Sequence, residues 1–243
     1  MTPRESTFGH PSITPKVNQL LAAIPEAVYR RLVRDLEVTT LNVGETLFLP
    51  AGQMQFAYFP TTSIVAMGYA VEAEGAMAKA WPVGREGMVG ISLFLGGLKR
   101  YSRADVQIGG FAYRLPEAAV LAEIKRAGAF RHLLMRYVFA LVTQASQLGV
   151  CNHYHPIEQR LCRFLLRLFD RVPGTDVVIT QERIGELLGV RRGSITCAAS
   201  QLQAAGIIEY RRGHIRLISP KKLEEHSCAC AAIIRGAFET MFV

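Results

Sequence analysis

The chain has 243 residues, half of them apolar, and carries a formal net charge of +8 with a pI near 9.5. This length suits one large domain or two ordinary ones, and the apolar content excludes disorder over most of the chain. A basic balance favours polyanionic partners such as nucleic acid or an anionic membrane. Residues 183–222 contain eight Lys or Arg and only two Glu, so most of the net charge lies in this segment.

The sequence contains no run of the roughly 18 apolar residues that a membrane span requires. Its first stretch, MTPRESTFGHPS, is polar and contains two prolines, which predicts a disordered arm over residues 1–15 and not a signal peptide. Five cysteines without the spacing of a disulfide framework suit a reducing cytosol. We therefore expect a cytoplasmic protein that has no membrane partner.

The first half of the chain predicts a β-rich domain preceded by helix. Residues 17–38 carry apolar side chains at helical spacing, with a break near Pro25. From about 38 to 118, short apolar or alternating runs such as TLFLP, FAYFP, SIVAMGYA and FAYRLP are separated by turn residues. Many short strands at this spacing predict a small antiparallel roll of the jelly-roll kind.

A long helix is predicted over 129–154, after a short helix over 116–126. Six residues of the long helix follow the 4-3-4-3-4 spacing of a heptad seam, and we expect them to pair two subunits: Leu134, Val138, Leu141, Ala145, Leu148 and Asn152. A polar residue late in such a seam can fix its register. Spacing alone leaves open a second interpretation, in which the helix packs within its own subunit.

Residues 180–208, TQERIGELLGVRRGSITCAASQLQAAGII, predict two short helices joined by a tight corner. Gly189 can adopt the left-handed backbone that ends the first helix, and the second helix starts near Arg191. The following IIEYRRGHIRLIS predicts two strands around Arg212 and Gly213, a hairpin with a basic tip. Together these elements predict a winged helix-turn-helix.

The second helix of this motif is expected to enter the major groove of DNA by its N-terminal end. Arg191 and Arg192 can fork onto guanine or onto phosphate oxygens, and Gly193 permits close approach of the backbone. We expect DNA contacts from residues of both helices and of the hairpin: Thr180, Gln181, Arg191, Arg192, Gly193, Ser194, Thr196, Gln201, Arg211, Arg212 and His214. The alternative is a basic surface helix in an ordinary small helical domain.

From about residue 17 to 220 the chain resembles the Crp/Fnr family of bacterial transcription regulators, most closely in IEQRLCRFLL and TQERIGELLGVRRGSIT. The resemblance implies an α+β fold with an N-terminal antiparallel β-roll, a long dimerisation helix and a C-terminal winged helix-turn-helix. It implies a homodimer that binds double-stranded DNA, works with RNA polymerase and performs no catalysis. We accordingly assign 16–126 to a sensor domain, 127–154 to the dimerisation helix and hinge, and 155–243 to the DNA-binding domain with its tail.

The chain departs from the family pattern in the second helix. Arg192 matches an arginine of the pattern, but Gly193 stands in place of a glutamate and Cys197 in place of a second arginine. Those two family residues commonly read bases. We therefore expect DNA binding, at a site that differs from the operators typical of the family.

The effector site departs further, because cyclic-nucleotide members use a Glu for the ribose and an Arg for the phosphate. Here the matching positions hold Ile91 and Ser102, and the neighbouring Arg103 would point to the opposite face of a strand. We expect no cofactor and no dependence on a cyclic nucleotide. Five residues remain candidates for contacts with an effector: Arg85, Gly90, Ser92, Ser102 and Arg103. Another small molecule, a redox or metal signal, or a purely structural role on DNA are the alternatives.

Two further groups of His and Cys residues have side chains that could bind a metal. His153-Tyr-His155 resembles the metal-binding pair of cupin enzymes, which makes an enzyme with a cupin-like barrel a rival hypothesis, but this pair lies at a hinge and not on a strand. His226-Ser-Cys-Ala-Cys230 offers soft ligands. Two thiols at i and i+2 of a helix diverge, so they would reach one metal only if the backbone were not helical. We predict no metal site and no catalytic residue.

Overall fold

The structure is a computed structural model that describes residues 14–70, 77–96 and 101–242. Residues 1–13, which make up nearly all of the expected N-terminal arm, lie outside the described residues. In the part of the chain that is described, no helix combines the length and the apolar character needed to cross a membrane.

The N-terminal domain is a β-roll preceded by two short helices, α1 (Gln19–Ala22) and α2 (Glu26–Leu32). Its antiparallel strands are β1 (Glu37–Leu41), β2 (Thr46–Phe48), β3 (Phe56–Pro60), β4 (Ile64–Ala70), β5 (Met77–Val83), β6 (Ser102–Ile108) and β7 (Gly110–Pro116). They form two sheets, with strand orders β1-β7-β3 and β2-β6-β4-β5. The helix predicted over 17–38 is too long at its C-terminal end, because Glu37 and Val38 pair with β7 and this pairing overrides the helical spacing.

Strand β4 is buried on both of its faces, which places the two domains of the protein side by side. Val65 and Met67 belong to the core of the roll, whereas Ile64 and Ala66 belong to the core of the C-terminal domain. Successive side chains of a strand point to opposite faces, so a strand that is apolar at every position is suited to being covered on both sides.

Two helices follow the roll: α3 (Glu117–Lys125) and the long α4 (Ala129–Tyr154). The side chain of Tyr137 in α4 is fully buried, and its hydroxyl hydrogen-bonds both the N–H and the carbonyl oxygen of Met88 at 3.2 Å. A Cβ at Gly87 would lie 2.2 Å from that hydroxyl, so only glycine permits this approach. These contacts fix α4 against the roll.

The C-terminal domain begins after Pro156, where His155 has left the helical conformation. Its elements are α5 (Ile157–Arg171), β8 (Asp176–Val178), α6 (Gln181–Leu188), α7 (Arg192–Ala204), β9 (Ile208–Arg211), β10 (His214–Leu217), α8 (Pro220–Glu225) and α9 (Cys230–Glu239). The strands form a sheet in the order β8-β10-β9. Apolar residues of α5, α6, α7 and the sheet share one core.

Helix α9 returns to the first domain, although the sequence predicted only a tail in this region. It packs against α4, and its residues Ile234 and Phe238, with Met241 just beyond the helix, join the core of the roll. Ala231 of α9 belongs to the core of the C-terminal domain. The rings of Phe238 and Tyr137 meet edge to face, with centroids 6.3 Å apart. The C-terminal segment therefore contributes to both cores.

Candidate nucleic-acid interface

The corner between α6 and α7 is built by caps and small residues. The Thr180 side chain accepts a hydrogen bond from the N–H of Arg183 at 3.3 Å, which caps the start of α6. Gly189 ends the helix with a φ of +65°. A Cβ at Gly185 would lie 2.8 Å from the carbonyl oxygen of Val190, so the tight corner depends on this glycine. Gly185 was not among the residues predicted from the sequence.

Helix α7 presents its N-terminal end to solvent. Arg191 is the N-cap in an extended conformation, and the helix begins at Arg192, in agreement with the predicted start near Arg191. Most of the predicted DNA-contact residues in this helix are exposed, and Ser194 is half-buried. An added Cβ at Gly193 would meet no atom within 4 Å, so the packing of the chain itself gives no reason for a glycine there.

Two of the predicted contact residues also hold the motif together. The hydroxyl of Thr196 donates to Oε1 of Gln181 at 2.6 Å, which links α7 to α6. The N–H of Gln181 donates to the hydroxyl of Tyr210 at 3.1 Å, and the N–H of Tyr210 donates to Gln203 at 2.8 Å. Tyr210 thus ties both helices to the wing. Tyr210 was not among the residues predicted from the sequence, in which it stands as an aromatic residue in a hairpin strand next to the basic tip.

The wing is the hairpin of β9 and β10, and its turn consists of Arg212 and Gly213. Both residues have positive φ, +50° and +84°, as a two-residue turn of this hand requires. The carbonyl oxygen of Gly213 accepts a hydrogen bond from the N–H of Ile179 at 2.8 Å, so the wing tip lies beside the start of α6. The exposed side chains of Arg211 and His214 flank this turn.

The arginines of this surface differ in their partners. Arg216, further along β10, lies 3.6 Å from Asp176 and 3.5 Å from Glu209 and is therefore neutralised. Four others form no ion pair within the residues that the structure describes: Arg191, Arg192, Arg211 and Arg212. Burial raises the pKa of Tyr210, while the hydrogen bond from the Gln181 N–H and the charge of Arg192 oppose this shift. These four arginines thus form an exposed cationic surface that has no carboxylate partner in the described part of the chain.

A family model, described as the Crp-like helix-turn-helix domain, matches residues 159–226 of the chain. Solved structures match over most of their length. FixK2 from Bradyrhizobium japonicum is 17% identical, with 80% of this chain and 98% of that chain covered and a TM-score of 0.62. A candidate transcriptional regulator of the Crp/Fnr family from Eubacterium rectale is 16% identical, with 86% and 98% covered and a TM-score of 0.58.

A third solved structure, a candidate cyclic nucleotide binding protein from Ruegeria pomeroyi, is 21% identical, with 93% and 95% covered and a TM-score of 0.61. In the comparison with curated proteins, no sequence matches the chain.

The protein has the Crp/Fnr fold. The prediction of an N-terminal roll, a long helix and a C-terminal winged helix-turn-helix is confirmed, and so is the Crp-like character of the DNA-binding motif.

In this Crp/Fnr fold, the charged residues expected at the effector site are engaged elsewhere. Nε of Arg103 donates to Asp105 at 2.7 Å, and its Nη2 donates to Thr46 at 2.9 Å. Nε of Arg85 donates to the carbonyl oxygen of Asp170 in α5 at 2.8 Å.

The other three candidate effector residues are uncharged. Ser102 is buried at the start of β6, whereas Ser92 is half-buried in a 3₁₀ turn over Ile91–Leu93. Gly90, which precedes that turn, has a φ of +114° and packs against Met54.

The long helix of the Crp/Fnr fold places the predicted seam only partly at the surface. Leu134 is fully buried within its own chain, and three seam residues are half-buried: Val138, Leu141 and Leu148. Ala145 and Asn152 are exposed. Leu134 therefore packs within its own subunit, because the helix turns this side towards the roll.

A different stripe of apolar residues on α4 is exposed to solvent. We call it the outer stripe, and it consists of Met135, Phe139, Val142 and Val150. Its first three members are spaced by four and three residues, and Phe139 is 67% exposed. Each stripe residue follows a seam residue by one or two positions, and one residue corresponds to about 100° around a helix. The outer stripe thus lies beside the predicted seam.

A buried ion pair joins the roll to the DNA-binding domain. Nε of Arg171, in α5, lies 2.7 Å from Glu86 of the roll in a contact without hydrogen-bond alignment. Nη2 of Arg171 donates to Gln144 of α4 at 3.0 Å. At the edge of the same interface Lys79 of β5 pairs with Glu186 of α6. The sequence contained a signal for this interface, because Arg163, Arg167 and Arg171 recur every four residues and so share a helix face.

Proposed function

We propose that this protein is a homodimeric, sequence-specific transcription regulator that binds double-stranded DNA without the aid of a cyclic nucleotide. It performs no catalysis, acts in the cytoplasm and works with RNA polymerase. The observation that carries the proposal is the set of exposed, unpaired arginines on a Crp-like helix-turn-helix: Arg191, Arg192, Arg211 and Arg212.

The arrangement of these arginines favours DNA over other polyanions. Arg191 and Arg192 stand at the N-terminal end of α7, where a recognition helix meets base edges. Gly193 beside them has open space where a side chain would be, which permits close approach of a DNA backbone. Arg212 at the wing tip is suited to phosphate, because a guanidinium forks onto two oxygens at once.

Homodimerisation is supported by the outer stripe of α4. Contiguous apolar side chains on the surface of a helix mark an interaction site. Spacings of four and three residues are those of a helix that pairs with another helix. We therefore propose that the outer stripe faces the partner copy, with the exposed seam residues Ala145 and Asn152 at its flank.

Independence from cyclic nucleotides is supported by the partners of Arg103. This guanidinium is already neutralised by Asp105, so a nucleotide phosphate would have to displace a carboxylate. Ile91 and Ser102 offer no charge in its place. An anionic ligand that is buried without a cationic partner loses its hydration and gains no interaction that compensates for this loss.

The DNA proposal is tested by selecting bound duplexes from a random pool and titrating the selected and scrambled sequences at one salt concentration. We expect the selected sequence to bind about 10³-fold tighter, or more. The double variant Arg191→Ala, Arg192→Ala should lose this preference, whereas Arg34→Ala, which removes an exposed arginine of the first domain, should retain it. Equal affinity for both sequences in the unaltered protein would identify a non-specific DNA binder instead.

The effector proposal is tested by calorimetry with cAMP and cGMP, followed by DNA titration in the presence of each nucleotide. We expect no binding at micromolar concentrations and no change in DNA affinity, since a ligand shifts an equilibrium only by its unequal affinity for two states. Micromolar binding that also tightens DNA binding would overturn this part of the proposal.

A further inference from the structure

Three thiols and one imidazole converge at the junction between α4 and the C-terminal domain. They belong to Cys151, His155, Cys228 and Cys230, and their ligand atoms all lie within 4.8 Å of one another. The sulfurs of Cys151 and Cys228 are 3.6 Å apart, and the sulfur of Cys230 lies 3.5 Å from Nδ1 of His155. The three cysteines are buried, and the histidine is half-buried.

Local backbone geometry brings these four side chains together. Cys151 lies in the last turn of α4, and His155 caps that helix in an extended conformation that Pro156 favours. Cys228 lies outside the regular helices, between α8 and α9, and Cys230 is the first residue of α9. The divergence expected of two thiols on one helix therefore does not apply, because the backbone at Cys228 is not helical.

We propose that these four residues bind one Zn²⁺ ion in a closed tetrahedral site. With zinc–sulfur bonds of about 2.3 Å, ligand atoms at the corners of a tetrahedron are about 3.8 Å apart. The separations of 3.5 and 3.6 Å are close to this value. An iron–sulfur cluster would separate its cysteine sulfurs by the width of the cluster, which is wider than this group of atoms. Four protein ligands leave no position for a substrate, as in structural zinc sites.

The charges around the cluster favour thiolates. Three thiolates, a neutral imidazole and Zn²⁺ carry a net charge of −1, which requires a nearby cation. Nε of Arg163 donates to the sulfur of Cys151 at 3.2 Å, and Nε2 of Gln147 donates to the sulfur of Cys230 at 3.1 Å. Donors of this kind orient and stabilise metal-bound ligands from outside the coordination sphere.

Arg163 is a second, independent sign of negative charge at this place. Its side chain is buried, with 5% of the residue exposed, and no carboxylate among the described residues pairs with it. A guanidinium that leaves water needs an anion close by. The negative zinc–thiolate complex supplies that anion, whereas three protonated thiols would not.

Metal binding changes the protonation of its ligands, because a coordinating thiol loses its proton to the solvent. Binding at this cluster of three thiols is therefore accompanied by proton release and is favoured by rising pH.

The ion would fasten the hinge of the protein. It would join the last turn and the C-cap of α4 to the start of α9, and α9 itself packs against α4 and the roll. The angle between the long helix and the winged helix would then be fixed by coordination. This regulatory consequence rests on the proposed function, whereas the metal site does not.

The metal site is tested by elemental analysis of the purified full-length protein after exhaustive dialysis. We expect one zinc per chain. Cys228→Ser and Cys230→Ser should each lower the zinc content to less than half, whereas Cys197→Ser, at an exposed cysteine, should retain it. His155→Ala should likewise lose zinc while His153→Ala, two residues away on the exposed face, keeps it. Absence of zinc, or equal zinc content in all variants, would overturn the proposal.

Cobalt substitution keeps the test decisive if a cysteine variant fails to fold. The unaltered protein, stripped of zinc and titrated with Co²⁺, should show the visible bands of tetrahedral Co²⁺ and a sulfur-to-cobalt charge-transfer band, saturating at one equivalent. A disulfide between Cys151 and Cys228 in the protein purified under mild reducing conditions would instead identify a redox pair and refute the zinc site.

The proposed effect of zinc on the hinge is tested separately, by measuring DNA binding. Zinc removal should weaken binding to the selected DNA at least tenfold, with recovery when zinc is restored. If the protein holds one zinc and binds no DNA in either form, the proposed function fails and the metal site stands. If DNA binding is strong and indifferent to zinc removal, the hinge role is refuted.

Discussion

Two sets of arginines in the C-terminal domain show how environment assigns different roles to one residue type. At the start of α7 and at the wing tip the arginines are exposed and have no carboxylate partner among the described residues: Arg191, Arg192, Arg211 and Arg212. On α5, Arg163, Arg167 and Arg171 are buried, and Arg171 is only 2% exposed. An exposed, unpaired guanidinium keeps its charge available to a polyanion, whereas a buried one is committed to a partner inside the protein.

Each buried arginine of α5 connects the DNA-binding domain to a different part of the molecule. Arg171 reaches Glu86 of the roll, Arg163 reaches Cys151 of α4, and Arg167 lies over the ring of Phe238 in α9 at 4.8 Å. Burial lowers the pKa of Arg167 to about 10, and the neighbouring Arg171 charge adds to this effect. The buried set therefore links the domains, and the exposed set meets the outside partner.

Replacing Arg171 with alanine should have the largest effect, because it leaves the carboxylate of Glu86 buried without a counter-charge. We expect the free energy of unfolding to fall by about 3–5 kcal/mol. Urea denaturation followed by circular dichroism measures this loss. Arg34→Ala, at an exposed site, should change the same free energy by less than about 0.5 kcal/mol. If Arg171→Ala lowered the free energy of unfolding by less than about 1 kcal/mol, as expected for an exposed ion pair, the buried and the exposed arginines would not differ in their contribution to stability.

Substitutions in the outer stripe and in the seam distinguish contacts between subunits from contacts within one subunit. Phe139→Glu should weaken the dimer by about 2–4 kcal/mol, since exposed aromatic anchors dominate interfaces. Sedimentation equilibrium should then show monomer at concentrations where the unaltered protein is dimeric. Leu141→Glu, at a half-buried seam position, should lower folding stability as well. A monomer from Leu141→Glu together with an intact dimer from Phe139→Glu would return the interface to the predicted seam.

Among the exposed arginines, Arg192 should read bases. Arg192→Ala should cost about 1–3 kcal/mol on the selected DNA and less on a scrambled duplex, because a bidentate contact to guanine is lost. Fluorescence anisotropy with both duplexes at one salt concentration makes the comparison. Equal losses on the two sequences would place Arg192 on phosphate.

At the wing tip, Arg212 should contact phosphate only. Arg212→Gly removes the charge and keeps the turn, since glycine accepts the positive φ of this position without strain. Affinity should fall alike for all sequences, and the slope of log K against log salt should decrease in magnitude by about 0.9. A sequence-dependent loss would contradict this assignment.

The smallest effect is expected at the pair of Lys79 and Glu186, which joins the same two domains as Arg171 but lies near the surface. Lys79→Ala should lower the free energy of unfolding by about 0–1 kcal/mol, because water and salt screen an accessible pair. Raising the salt concentration should reduce the difference between the variant and the unaltered protein. A loss as large as that of Arg171→Ala would mean that burial does not distinguish the two contacts.

The sequence by itself determined the features that depend on neighbouring residues. The cap at Thr180, the left-handed Gly189, the two-residue turn at the wing and the end of the long helix before Pro156 all follow from local conformational preferences. Because the helix-turn-helix is made almost entirely of such signals, its place in the chain could be predicted closely.

Only the tertiary structure decided which face of each element meets another part of the chain. The contact between Cys151 and Cys228 joins residues that are 77 positions apart in the chain. The hydrogen bond from Arg85 to the carbonyl oxygen of Asp170 joins residues that are 85 positions apart. Periodicity shows that a helix has an apolar side but not what covers it, as Leu134 and Phe139 illustrate. The metal cluster, the buried arginines and the return of α9 arise from packing between distant segments, which spacing within one segment does not encode.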